Sequence, residues 1–187
     1  MKKLILGSGS PRRRELLSEL GFSFEVRTKD TDESCDGIPA NDQALFVAEK
    51  KANALIPSLS QNEILLCADT VVIHEDQTLN KPAGRVEAIA MLSSLSGNTH
   101  YVTTGIVVYH DRRFIKQSVT TEVEFLPLSK DAIEHYVDTM RPFDKAGSYG
   151  IQEWIGHAFV KRINGSYNNV VGLPTSEVYA ILKELLA

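Results

Sequence analysis

Ser8-Gly9-Ser10, followed by Pro11 and the triple arginine Arg12-Arg13-Arg14, is the first stretch whose residue types could do chemistry. Leu4-Ile5-Leu6 ahead of it reads as a buried strand. Pro11 suits the first position of a helix, with Ser10 as its N-cap. A strand therefore delivers small residues to a helix start, where free N–H groups and the positive end of the macrodipole face outward. Cationic side chains in a first turn repel that dipole, so three arginines make sense there if an anion compensates. Glycine lets the backbone approach closely, serine hydroxyls donate, and guanidinium groups grip phosphate oxygens in pairs. The other reading is a solvated basic helix start that contacts acidic residues nearby. The GxxxxGK[ST] pattern of a P-loop occurs nowhere.

Asp69 is the second candidate. It lies inside Leu65-Leu66-Cys67-Ala68-Asp69-Thr70-Val71-Val72-Ile73, where a carboxylate costs several kcal/mol unless it is paired or bound to metal. That favours a catalytic or metal-linked acid over a structural one satisfied at a bulge. Thr70 would face the other side of a regular strand, so the two need not share a partner. Glu33, Lys51, Lys81 and Lys145 are each unremarkable alone, as surface residues. Together they offer the carboxylates and cations that a triphosphate and its magnesium would need. Lys81 precedes Pro82, which holds its backbone extended. Between Asp144 and Pro174 the glycines at 147, 150, 156, 165 and 172 imply tight turns or close approach to a ligand. Gln152, which donates and accepts at once, suits a base edge or simply the surface. Tyr149 and Trp154 could stack on a base or belong to the core.

Composition narrows the classes. The 187 residues suffice for one domain or two closely joined lobes, and 43% hydrophobic with 24% charged residues is ordinary globular usage. No apolar run approaches the roughly 20 residues that span a bilayer. The apolar stretch after Lys2-Lys3 is cut off by the arginines too soon for a secretory signal. A cytoplasmic location is the expectation, with Cys35 and Cys67 as free thiols. The five histidines lack zinc-ligand spacing. A net charge of −4 argues against nucleic-acid binding as the main business.

These residues need elements to position them. The pattern predicts a strand over Lys3–Gly7, a helix over Arg12–Leu20 stopped by Gly21, and a half-buried strand over Phe22–Val26. An irregular acidic stretch, Lys29–Pro39, precedes a helix from Asn41, read as its cap, to about Leu55. Glu63–Ile73 is a central strand, turning at Glu75-Asp76-Gln77 into Thr78-Leu79-Asn80. A helix over Glu87–Leu95 leads to two long strands, Tyr101–Tyr109 and Phe114–Phe125, with a turn at His110–Arg113. Ser129 caps a helix through about Asp138. The stretch from Arg141 to Gly172 reads as short strands between functional loops, and Glu177–Leu186 is the last helix. Parallel-looking βα units early and antiparallel hairpins later give an α/β fold on a mixed sheet.

The motifs LILGSGSPRRRELLSELG, ADTVV, NKP at 80–82, MLSSLSGNTHYVTTG, DKAGSYGIQ and INGSYNNVVGLP, in this order, closely resemble the Maf family of nucleoside triphosphate pyrophosphatases from end to end. The resemblance implies one Maf-like domain over residues 1–187. Its mixed, strongly twisted central sheet would be flanked by helices and elongated, with two lobes around a cleft. It implies hydrolysis of a triphosphate to the monophosphate and pyrophosphate with a divalent metal, Mg²⁺ or Mn²⁺. By that resemblance Asp69 is the proton acceptor, and Glu33 with Asp69 holds the metal. Ser8, Arg12, Arg13, Lys51 and Lys81 bind phosphates, to which the loop chemistry adds Ser10, and Arg12, Thr70 and Gln152 govern substrate choice in the manner of the dTTP/UTP subgroup. No nucleic-acid or membrane partner is implied, and a homodimer is compatible. Gly7 stands where alanine is usual, a change that a strand end tolerates. Glu153 replaces a common glycine beside a specificity position. The rival reading, a non-catalytic nucleotide-binding regulator of cell division, would share the phosphate loop and lack hydrolysis.

Overall fold

The computed structural model describes residues 2–186. Strand β1, Lys3–Leu6, pairs in parallel with β2, Phe24–Val26, and with β3, Glu63–His74. Between β1 and β2 runs helix α1, Pro11–Glu19, which starts on Pro11 with the Ser10 side chain accepting from the Arg13 amide. The helix buries Leu16 and Leu17, and the left-handed Gly21 (φ 82°) follows it. Helix α2, Ala40–Leu55, bridges β2 and β3. Asn41 is not its cap: Pro39 takes that position, with no side-chain cap bond. Proline holds the entering backbone extended, so the helix starts ahead of Asn41.

Strand β3 turns at Glu75 and Asp76, both at positive φ, into β4, Gln77–Leu79. Helix α3 spans Arg85–Leu95, two residues longer at its start than the periodicity predicts. The Glu87 carboxylate reaches back to accept from the Ala83 amide at 2.6 Å, in the manner of a capping box. The long strands β5, Thr99–His110, and β6, Arg113–Phe125, follow, then α4, Lys130–Met140, capped by Ser129 as expected. The segment expected as short strands holds one strand and three short helical pieces: a 3₁₀ turn at Ala146–Ser148, α5 at Trp154–Phe159, β7 at Val160–Asn164 and α6 at Tyr167–Val171. Pieces this short carry no readable 3.6-residue period, which is why the sequence hid them. Helix α7, Thr175–Leu186, closes the described chain.

The strand order β2-β1-β3-β5-β6-β7, with β4 on β3, mixes parallel and antiparallel pairing. This is the expected α/β architecture on a mixed sheet. The chain divides into two compact units. The first takes the chain up to Thr70, then Thr104–Val119 and the segment from Gly172 onward; the second takes Val71–Thr103 and Thr120–Val171. In the first unit Ile5, Ala48, Ala52, Leu55, Leu65, Cys67 and Val107 form a core. Gly105 lets α2 lie directly on β5, since a Cβ there would come within 2.3 Å of the Leu45 backbone. The second unit packs α3 and α4 around Phe125, Tyr136 and Tyr149.

Candidate active site

The first unit brings two clusters together around the end of β1 and the middle of β3. In one, the Lys51 ammonium lies 2.7 Å from Asp69 Oδ1 and 2.7 Å from Glu33 Oε1. Lys51 and Asp69 are each 17% exposed at the side chain, and Glu33 is 51% exposed. Helix α2 supplies the lysine, β3 supplies Asp69, and the loop after β2 supplies Glu33. A carboxylate in an apolar strand is thereby paired, as its burial requires. Asp69 Oδ2 carries no hydrogen bond to another described residue.

The loop bearing Glu33 is held by its neighbours. Lys50 donates to Asp32 Oδ2 and to the Ser34 carbonyl, both at 3.1 Å, and Ser34 donates back to Asp32 through its amide and hydroxyl. These bonds, those from Ser34 foremost and then that from Lys50, hold the Asp32 carboxyl down at about 2. Consecutive lysines on α2 thus take consecutive acids on the loop. The adjacency of Asp32-Glu33 and of Lys50-Lys51 is the signal in the sequence for this clasp.

The other cluster centres on Arg13. Its guanidinium donates from Nε to the Gly172 carbonyl at 2.8 Å, from Nη1 to Ser8 Oγ at 3.1 Å and from Nη2 to Thr70 Oγ1 at 2.9 Å. Arg13 is 8% exposed, so it is a buried strut joining the loop, the strand and the Gly172 turn. Burial presses its pKa down, Arg12 adds repulsion, and Asp69 and Glu33 oppose both; an arginine stays protonated regardless. Thr70 Oγ1 also bonds Thr104 Oγ1 at 2.9 Å. Asp69 and Thr70 therefore have separate partners, as strand alternation demands. Thr104 and the Gly172 carbonyl were not singled out from sequence; the glycine at φ 136° marks the second of them.

Ser10 acts as the helix cap, accepting from the Arg13 amide at 3.4 Å, while its own amide donates to Ser8 Oγ at 3.3 Å. Arg12 is half-buried in the first turn of α1. Beneath the loop, a Cβ at Gly7 would fall 2.3 Å from Cys67 Sγ and 2.8 Å from a Leu55 methyl. The sulfur occupies the space that alanine would need. Burial pushes the Cys67 thiol up to about 12, against Lys51 and Arg13, so it is an inert packing group.

Lys81 and Gln152 belong to the second unit. Lys81 is exposed after β4, where the Asn80 carbonyl accepts from the Gly147 amide at 3.4 Å. Gln152 is half-buried, and its Oε1 lies buried with no hydrogen-bond partner among the described residues. Tyr149 belongs to the core, with its hydroxyl 2.7 Å from His100 Nε2. Trp154 is 43% exposed and edge-on to His135 and Phe159.

For a divalent cation, the donors that fit are Glu33 and Asp69. Both carboxylates converge on one positive centre, the Lys51 ammonium. No group of three or more His, Cys, Asp or Glu side chains gathers for metal among the described residues. Two carboxylates suit an ion that completes its shell with waters and phosphate oxygens, as Mg²⁺ does.

Residues 3–185 match the family described as Maf-like protein. A protein of Bacteroides fragilis named dTTP/UTP pyrophosphatase is 46% identical over 185 residues, covering 98% of this chain and 96% of its own length. Proteins of the same name from Parabacteroides distasonis and Chlorobaculum tepidum are 46% and 43% identical, over 97% and 98% of this chain and 95% of each relative. Among solved structures, that of a HAM1 protein from Coxiella burnetii superposes with a TM-score of 0.55 at 13% identity, covering 98% of this chain and all of the other. That last likeness concerns the fold alone. Among the described residues no helix is long and apolar enough to cross a membrane.

Proposed function

Because this chain belongs to the Maf-like protein family, we propose that it is a nucleoside triphosphate pyrophosphatase, cutting dTTP and UTP between the α- and β-phosphates to leave the monophosphate and pyrophosphate. One observation carries the mechanism: Asp69 stands in an apolar strand with Oδ1 held by Lys51 at 2.7 Å and Oδ2 free of described partners.

Asp69 Oδ2 takes a proton from a water that attacks the α-phosphorus in line, and pyrophosphate leaves. Lys51 fixes the orientation of that carboxylate and adds positive charge beside the developing phosphate charge. Arg12, Arg13, Ser8 and Ser10 line the loop proposed to receive phosphate oxygens. Arg13 has three of its five N–H donors committed to protein, so its part is chiefly to hold Ser8 and Thr70 in place. Glu33 and Asp69 would hold a divalent cation, Mg²⁺ or Mn²⁺, which when bound neutralises phosphate charge. Lys81 is assigned to phosphate, and Thr70 and Gln152 to substrate choice, on the NKP, ADTVV and DKAGSYGIQ motifs. Positioning and electrostatics supply the acceleration; no covalent nucleophile is needed. The names of the relatives do not favour the alternative, a regulator that binds nucleotide without hydrolysis.

The test is incubation with each canonical triphosphate and Mg²⁺, reading pyrophosphate against orthophosphate. Wild type should release pyrophosphate from dTTP and UTP. Asp69→Asn should lose about 10²- to 10⁴-fold in turnover while remaining folded. Orthophosphate release, or full activity of Asp69→Asn, would refute this mechanism.

A further inference from the structure

The turn that carries Gln152 is closed by a ring of hydrogen bonds around a residue to which no role has been given. The Glu153 amide donates to the Gly150 carbonyl at 3.0 Å, making a tight turn over Ile151-Gln152. The Gly150 amide donates to the Tyr136 hydroxyl at 3.0 Å, and that hydroxyl donates to Glu153 Oε2 in a short contact. The other carboxylate oxygen, Oε1, lies 3.1 Å from the Lys145 ammonium. Lys145 and Glu153 are only 11% and 16% exposed at the side chain, so this pair is largely shielded from water.

Two further features tie the carboxylate to this task. Glu153 is the N-cap of α5, yet its side chain makes no cap bond to the helix. It turns instead to Tyr136 and Lys145. A Cβ on Gly150 would fall 2.7 Å from Glu153 Cδ and 3.0 Å from Oε1, so the carboxylate lies across a glycine and needs that glycine there. Lys145 also bonds Asp144 Oδ1 at 2.8 Å, and Glu153 ties that lysine to the tyrosine and the turn.

What the ring braces is the residue between its ends. Gln152 Oε1 is buried without a donor. Surroundings that fix its backbone keep such an acceptor in place when nothing satisfies it. An amide whose oxygen is left unsatisfied gains by turning, on a fixed backbone, toward a ligand that brings a donor. Uracil and thymine carry N3–H, whereas cytosine presents a bare N3 acceptor at the same edge. The strictness of that choice depends on how firmly the amide is held.

We propose that Glu153 is a positioning residue: through Tyr136 and Lys145 it rigidifies the Gly150–Glu153 turn so that Gln152 discriminates among pyrimidine bases. This rests on the pyrophosphatase reading above and names what sets its selectivity. Glu153 is assigned no part in phosphate binding or water activation, so its expected effect falls on base binding and leaves the chemical step alone.

The experiment measures pyrophosphate release from dTTP, UTP, dCTP and CTP by wild type, Glu153→Ala, Glu153→Gln, Tyr136→Phe and Gln152→Ala. Glu153→Ala should raise KM for dTTP and UTP about tenfold with kcat nearly unchanged, and lower the preference over the cytosine nucleotides by a similar factor. Glu153→Gln keeps an acceptor for the tyrosine and should recover most of the loss. Tyr136→Phe should imitate Glu153→Ala, and stands in for it should that variant not fold. Added to Gln152→Ala, Glu153→Ala should have little further effect. The proposal is overturned if Glu153→Ala keeps wild-type KM and selectivity, or loses kcat equally on every substrate. A wild type that releases pyrophosphate from no triphosphate instead overturns the pyrophosphatase reading, and the proposal with it.

Discussion

Gly7→Ala should destabilise the protein by about 1–3 kcal/mol, although alanine is the intrinsically better strand residue by roughly 0.5–1 kcal/mol. The added Cβ would fall 2.3 Å from Cys67 Sγ, where ordinary contact begins near 3.4 Å, so about 1.1 Å must be found. Gly7 cannot easily yield: its amide donates to the Leu66 carbonyl at 2.8 Å, which fixes β1 to β3. Cys67 is wholly buried on the neighbouring strand and cannot swing aside. Leu55, whose methyl would stand 2.8 Å away, can change rotamer at lower cost. Cys67→Ala removes the sulfur and by itself should cost about 1 kcal/mol for the small cavity. Together the two substitutions exchange one volume for another, so the double variant should lie within about 1 kcal/mol of wild type. The expected coupling is then about 1–3 kcal/mol, within the range known for contacting side chains. Urea unfolding followed by far-ultraviolet circular dichroism on all four proteins measures it. A Gly7→Ala midpoint equal to wild type, or additive losses in the double variant, would refute this packing argument.

His100 is buried between Phe125 and Tyr149, with Nδ1 unpartnered among the described residues, and burial pushes its pKa from 6.5 down to about 3. Between those values the unfolded chain binds a proton that the native state refuses, so stability falls as pH drops through that window, by up to roughly 1.4 kcal/mol per pH unit. Urea midpoints from pH 7 to pH 4 should therefore decline less steeply in His100→Leu; parallel declines would exclude His100 as the cause. Arg13→Lys keeps the charge but cannot serve Gly172, Ser8 and Thr70 at once, and should cost about 3 kcal/mol by urea unfolding. A loss under about 1 kcal/mol would mean the strut matters little. Chelation with EDTA should stop pyrophosphate release and added Mg²⁺ restore it, with Glu33→Gln needing more Mg²⁺ for half-maximal rate at an unchanged unfolding midpoint. Activity indifferent to chelator would remove the metal from the mechanism.

Local signals made much of this protein legible. Ser10 before Pro11, Ser129 before a periodic run, and the apolar stretch around Asp69 each declare an element by near-neighbour chemistry alone. The clasp on Asp69 was not legible in that way, because Lys51 is a helical lysine like its neighbours until α2 is placed over β5. Gly105 makes that placement possible, and a glycine flanked by β-branched residues within a strand is the clue. Arg13 misled for a related reason. A basic residue in a first helical turn reads as exposed, and nothing nearby in sequence announces that a carbonyl 159 positions away will bury it. Between residues 141 and 172 the helices are a turn or two long, below the length at which periodicity speaks. Asn41 failed as a cap because the proline two places before it had already fixed the entry.

The bond from Arg13 to Gly172 bears on how the polypeptide matures on the ribosome. Synthesis proceeds at roughly 5–20 residues per second, and domains tend to close as their parts emerge. The partner that sequesters this arginine emerges 159 residues after it. Until then the guanidinium, Ser8 and Thr70 are without their common anchor. A chain cut before Gly172 should thus be unable to bind or consume nucleotide, and competence would arrive only once that carbonyl is in place.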